Sequence, residues 1–175
     1  MKKTIGTLMV AASALAFSAS ANALEFTPYV GVDYNYTDVA SHSAHFNSGS
    51  LNVGTNYNKY FGTELFYQYS TEDKKAGEKT RIEGYGLDLY GYLPLGCDQT
   101  FSLLGTAGIA EYKVTSKYDG EKDKDHGYGY RLGAGAMYNI NENVSVHALA
   151  RYVFTDKIEG IDHLMEYTLG ARYNF

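Results

Sequence analysis

The carboxyl-terminal stretch Met165-Glu166-Tyr167-Thr168-Leu169-Gly170-Ala171-Arg172-Tyr173-Asn174-Phe175 alternates strictly over its whole length. Met165, Tyr167, Leu169, Ala171, Tyr173 and Phe175 form an apolar set, and Glu166, Thr168, Gly170, Arg172 and Asn174 a polar one. A period of two puts these sets on opposite faces of a β-strand. Strands of soluble sandwiches run to about five or six residues, whereas a tilted strand crossing a bilayer needs about nine to eleven. The stretch has the length of a membrane-crossing strand.

Seven earlier segments repeat the alternation: Glu25 to Tyr36, Gly49 to Tyr57, Tyr60 to Ser70, Ile82 to Tyr92, Thr100 to Tyr112, Gly127 to Asn139 and Val144 to Phe154. The fourth is expected to stop where Pro94 removes a ladder donor. The parity of the fifth is ambiguous in Phe101 to Ile109, and Leu103, Ala107 and Ile109 are assigned to the lipid side. Long polar connections, Thr37 to Ser48, Thr71 to Arg81, Lys113 to His126 and Thr155 to His163, alternate with short ones. Membrane barrels have long extracellular loops at one end and short periplasmic turns at the other, and an even strand count leaves both termini periplasmic. Tyr34, Tyr36, Tyr57, Phe61, Tyr69, Tyr128, Tyr138, Tyr152, Phe154, Tyr173 and Phe175 fall near the ends of the apolar faces, where two interfacial aromatic girdles are expected. The fold expected is an all-β, eight-stranded antiparallel up-and-down transmembrane barrel.

The chain starts Met1-Lys2-Lys3, continues with a mostly apolar run from Ile5 to Phe17, and reaches Ala21-Asn22-Ala23. These are the three parts of a secretory signal peptide, and the run is too short to span a membrane as a helix. Residues 1–23 are therefore read as a cleaved signal and residues 24–175 as one outer-membrane barrel domain, exported to the outer membrane of a Gram-negative bacterium. Removing Lys2 and Lys3 takes the formal charge from −5 to −7, which disfavours nucleic acid as a partner. Cys97 is the lone cysteine, so no intramolecular disulfide can form.

With polar faces inward, the strands carry Asp33, Glu64, Asp88, Arg131, Arg151, Glu166 and Arg172 into the lumen. Unpaired buried charge is costly, and these signs are complementary, so an interior salt-bridge network is expected. Counting from the periplasmic ends and ignoring strand tilt places Glu64, Asp88 and Arg172 at a lower level. Asp33, Arg131, Arg151 and Glu166 then lie higher. An eight-stranded barrel is just wide enough for side chains to fill, so a plugged lumen is the leading expectation and a narrow ion path the alternative. His42, His45, His126 and His163 fall in loops near Ser41, Ser43, Asp125 and Asp162, too weak a pattern for a catalytic or metal site. His147 is read as a packed interior residue. No cofactor is implied.

The chain resembles the small outer-membrane barrels of the OmpA and OmpX type. The resemblance rests on the Ala-Asn-Ala signal ending, on Pro28-Tyr29-Val30-Gly31-Val32, and on the terminal Ala171-Arg172-Tyr173-Asn174-Phe175. It implies a terminal strand read by the barrel-assembly machinery, with Tyr173 and Phe175 carrying the signal, and a monomer among lipid and lipopolysaccharide. It also implies a non-enzymatic role in envelope integrity or in adhesion to a host or matrix ligand. A porin-like channel and a lipid-modifying enzyme remain the alternatives. The charged loops, +1 over Thr71 to Arg81 and 0 over Lys113 to Asp125, read as solvated mixed-sign runs.

Overall fold

The structure is a computed structural model that describes residues 26–39, 44–71, 73–75, 78–96, 100–118, 121–156 and 163–175. Residues 1–23, read from the sequence as a signal peptide, and Cys97 lie outside the described residues. The strands are β1 (Thr27–Val39), β2 (Ala44–Asn58), β3 (Phe61–Ser70), β4 (Asp73–Lys75), β5 (Glu78–Leu95), β6 (Phe101–Tyr118), β7 (Glu121–Asn139), β8 (Val144–Asp156) and β9 (His163–Asn174). All pairings are antiparallel, in the order β3-β2-β1-β9-β8-β7-β6-β5, and β3 pairs with β5 to close the ring. Eight strands thus make the barrel, while β4 is a short return strand on the upper part of β5.

The register fixes the shape. From Tyr29 the cross-strand partners run Gly54, Glu64, Asp88, Gly108, Arg131, Val153 and Leu164, and return to β1 at Val39. One circuit therefore advances ten residues (39 − 29 = 10). An eight-stranded barrel with that stagger tilts its strands by about 40°.

Alternation governs every wall. Val30, Val32, Leu51, Val53, Leu65, Leu132 and Leu169 face outward and are more than two-fifths exposed. So much exposed aliphatic surface would be untenable in water and suits lipid. Leu103, Ala107 and Ile109 face outward too, and Leu104 is buried. Tyrosines and phenylalanines border the band: Phe26, Tyr57, Phe61, Tyr173 and Phe175 at the end holding the termini, and Tyr36, Tyr67, Tyr85, Tyr128, Tyr152 and Phe154 at the other.

The strands outrun the apolar pattern. β1 reaches Val39, β2 starts at Ala44, and β6 and β7 continue as a ladder to Tyr118 and Glu121. The connections expected at Thr37 to Ser48 and Lys113 to His126 are thus largely strand. Backbone pairing needs no apolar side chain, so polar hairpins carry the ladder above the membrane. β5 likewise runs through Pro94, which pairs with Ser102 of β6. Tyr92 N–H bonds Tyr60 O on the β3 side, where the ladder ends at Phe61 and Gly91. The donor that Pro94 lacks would point the same way, past the end of β3, so its loss costs little. Asn58 and Asn141 close two turns at the terminal end, their side-chain oxygens accepting from Tyr60 N–H (2.8 Å) and from Val144 N–H (2.7 Å).

Candidate functional site: the filled lumen

Each of the seven interior charges comes from a strand position whose neighbours point to lipid, so the alternation that makes the wall also places the charge. Asp33, Glu64, Asp88, Arg131, Arg151, Glu166 and Arg172 are all buried. They fall into three groups.

Nearest the terminal end, Arg172 Nη2 lies 2.8 Å from Glu64 Oε2. Glu64 also accepts from Tyr29 O–H (3.0 Å) and Tyr90 O–H (3.1 Å), and Arg172 Nη1 donates to Tyr92 (3.0 Å). The Arg172 guanidinium sits over the rings of Tyr29 and Tyr90 at 4.6 and 4.3 Å, which adds cation–π attraction to the ion pair.

In the middle, Glu166 is the hub. Its Oε1 accepts from Arg131 Nη2 (3.0 Å) and Arg151 Nη1 (3.2 Å), and its Oε2 from Gln68 (3.0 Å). Asp88 lies 3.5 Å from Arg131 and 3.7 Å from Arg151. Arg151 also donates to Thr168 (2.7 Å) and Tyr90 (2.8 Å), which joins this group to the first. Thr168 passes the chain on to Asn35 and Ser50.

The third group is Asp33 with His147, whose Nε2 lies 3.2 Å from the Asp33 carboxylate. The pair meets across Gly170, the register partner of both residues. A methyl group at Gly170 would collide with Asp33 Oδ1 and stand 2.6 Å from His147 Nε2. Gly108 does the same for Asp88, lying between it and Arg131 in one cross-strand row.

The two levels expected from counting along the strands are corrected here. Asp88 joins the arginines of β7 and β8, not Arg172, and Asp33 faces a histidine instead of an arginine. The cause is tilt: cross-strand rows climb ten residues per circuit, so equal counts from a turn are not equal heights. Tyr29, Gln68, Tyr90, Tyr92, His147 and Thr168 complete the network. Their signal in the sequence was a polar group at lumen parity beside a charge.

Apolar clusters flank the charges. Phe66, Ala110, Tyr112, Val153 and Leu164, with Phe46 and Ile82 against them, fill the end away from the termini. The Arg131 guanidinium lies 3.9 Å above the Phe66 ring. Tyr90, Tyr92, Leu104 and Leu149, with Met137, form the second cluster. Below it a cavity of about 560 Å³ opens at the terminal end, lined by Tyr92, Ser102, Met137, Ser145 and Arg172 among others.

On the outer wall, Glu83 pairs with Lys113 (3.7 Å), Glu111 lies 3.6 Å from His126, and Arg81 covers the Tyr69 ring at 4.9 Å. His45 stacks on Tyr36 and lies 3.3 Å from Asp38, and His163 stacks on Tyr152. Ser41, His42, Ser43 and Asp162 lie outside the described residues. Among the described residues no group of three His, Cys, Asp or Glu is placed to hold a metal ion.

A closed antiparallel barrel with an apolar outer band, aromatic borders and a packed polar interior defines an integral outer-membrane protein. The chain belongs to the outer membrane protein beta-barrel domain family, whose model matches residues 7–175. No curated protein matches the chain in sequence. Solved structures share the fold. Neisserial surface protein A (NspA) matches with a TM-score of 0.71 at 16% identity, over 86% of this chain and 97% of that one. Ail, the attachment invasion locus protein of Yersinia pestis, gives 0.60 at 16% identity, over 87% and 99%. OprH of P. aeruginosa gives 0.63 at 20% identity, over 85% and 99%.

Proposed function

We propose that the protein is a non-enzymatic surface protein acting through its extracellular hairpins, in envelope integrity or in recognition of a host or matrix ligand. It is exported by a signal peptide of residues 1–23. Residues 24–175 then fold as a monomeric barrel among lipid and lipopolysaccharide of a Gram-negative outer membrane. The observation that carries this reading is the filling of the lumen. Three arginines and His147 face four acids within hydrogen-bonding or ion-pairing range, between two apolar clusters. Such an interior would stiffen the wall and block the water path that a channel needs. The hairpins at the end away from the termini are then the surface available for recognition.

Binding of the full chain in lipid nanodiscs to cultured host cells and to extracellular matrix tests the reading. A second protein has the β6–β7 hairpin cut back from Lys113–His126 to a short turn, and both are checked for barrel folding. The truncated barrel should lose most of the binding, and equal binding by the two would contradict a role for the hairpins.

A further inference from the structure

Below the second apolar cluster the lumen widens at the terminal end into the recess of about 560 Å³, a volume within the usual span of small-molecule sites, about 300–1,000 Å³. Strand parity sets its lining. Asn139, Ser145 and Arg172 lie side by side in one cross-strand row of β7, β8 and β9. Across the barrel, Gly62 leaves room for the Asn56 amide, whose Oδ1 stands 2.7 Å from where a Cβ would be, with the Tyr92 ring at 3.3 Å. Tyr92 accepts from Arg172 Nη1, so amide, ring and guanidinium adjoin one another in the lining. Asn58 and Asn141 close the turns at the rim and hold the mouth in shape.

Five asparagines and four serines or threonines line the recess, against Pro94, Met137 and Ile140. An acyl chain or apolar peptide would strip water from those amides and hydroxyls without replacing their hydrogen bonds. An anion gains little there either. Arg172 is already neutralised by Glu64 at 2.8 Å, the Lys59 ammonium lies 5.0 Å above the Tyr60 ring, and Glu142 adds a negative charge to the lining. Side-chain amides and hydroxyls both donate and accept, which suits a ligand bearing many uncharged hydroxyls. Two lining residues also keep a buried polar atom that hydrogen-bonds to no described residue, a donor at Arg172 Nε and an acceptor at Asn56 Oδ1. Each costs stability until it is paired.

From this lining we infer that the recess binds the disaccharide-sized end of an uncharged saccharide. The even strand count puts this end of the barrel in the periplasm. The inference goes beyond the surface-recognition reading and does not depend on it, because the recess lies on the terminal side of the packed lumen, away from the hairpins. Two sources share the chemistry, the N-acetylated glycan of the cell wall and free periplasmic glucans.

The test uses the full chain in phosphatidylcholine nanodiscs, free of sugar-based detergent, titrated with N,N′-diacetylchitobiose and with cellobiose, which carries hydroxyls in place of the acetamido groups. At least one should bind saturably with a dissociation constant of about 1 mM or below, and salt should not change it. Preference for the first supports the cell-wall source, and preference for the second the free glucan. Binding should shift the backbone amide resonances of Ser102, Ser145 and Asn174 and leave those of Phe66 and Leu164 in place. Asn56→Leu and Ser145→Val should each weaken binding by about threefold to tenfold, the worth of one hydrogen bond. Thr106→Val removes a buried hydroxyl outside the recess and should leave affinity within about twofold. Where a variant fails to give the heat-shifted folded band, the resonance shifts of the wild type decide. Absence of saturable binding by both disaccharides overturns the proposal. Tighter binding of glucose 6-phosphate than of cellobiose overturns the ligand class, since the recess would then be an anion site. Shifts confined to the hairpins, or loss of binding when the β6–β7 hairpin is cut back, overturn the site while leaving the surface-recognition reading standing.

Discussion

Arg172 on β9 meets Glu64 on β3 at 2.8 Å across the lumen, though neither strand borders the other in the sheet. The closing strand is thus tied to the far wall as well as to its neighbours β1 and β8. Removing one partner of such a pair leaves a buried charge uncompensated, which typically costs about 3–5 kcal/mol. Arg172→Met should therefore destabilise the barrel by about that amount in urea unfolding from lipid vesicles. Glu64→Gln added to it should recover most of the loss. A loss below about 1 kcal/mol for Arg172→Met would show that the pair does not brace the barrel.

Glycines inside and outside the wall should respond in opposite ways. Gly170→Ala drives a methyl group into the Asp33–His147 pair and should cost about 1–3 kcal/mol. Gly105 faces outward with nothing within 4 Å of an added Cβ, and Gly96 is the one described glycine with positive φ. Gly105→Ala should therefore be neutral or stabilising by up to about 1 kcal/mol. Equal costs at the two sites, read from unfolding midpoints, would contradict the packing described.

Phe175 stands 70% exposed at the end of β9, edge-to-face against Tyr173 at 5.3 Å, and its N–H bonds Pro28 O at 3.0 Å. If Tyr173 and Phe175 are the signal for the assembly machinery, deleting Phe175 should lower the folded, heat-modifiable fraction in cells several-fold. Refolding of the purified chain into vesicles should change little. A parallel loss in both settings would make the residue merely structural.

If residues 1–23 are removed on export, as proposed, one mass is fixed. The protein extracted from outer membranes should begin at Leu24 by intact-mass measurement, and a species retaining Lys2 and Lys3 would contradict the assignment.

The sequence shows the walls clearly because lipid on one side and packed polar groups on the other force a period of two, as in Met165 to Phe175. It hides whatever depends on stagger. Asp88 reaches Arg131 and Arg151 only because rows climb around the barrel, and Tyr29 and Tyr90 reach Glu64 for the same reason. Lys113 to His126 carries no apolar alternation and so has the pattern of a loop, although the backbone ladder of β6 and β7 runs on to Tyr118 and Glu121. Pro94 marked a strand end by its missing donor, yet it sits where β3 has already finished.

The central claim is that the lumen is sealed and the function lies outside it. Single-channel recording of the folded wild-type barrel in a planar bilayer tests this most directly, with Arg131→Ala and Arg151→Ala beside it. Negligible current is expected for all three, since the apolar clusters around Phe66 and Tyr90 remain. Stepwise openings in the wild type that change with either arginine would contradict the account and make the charged lumen a conducting path.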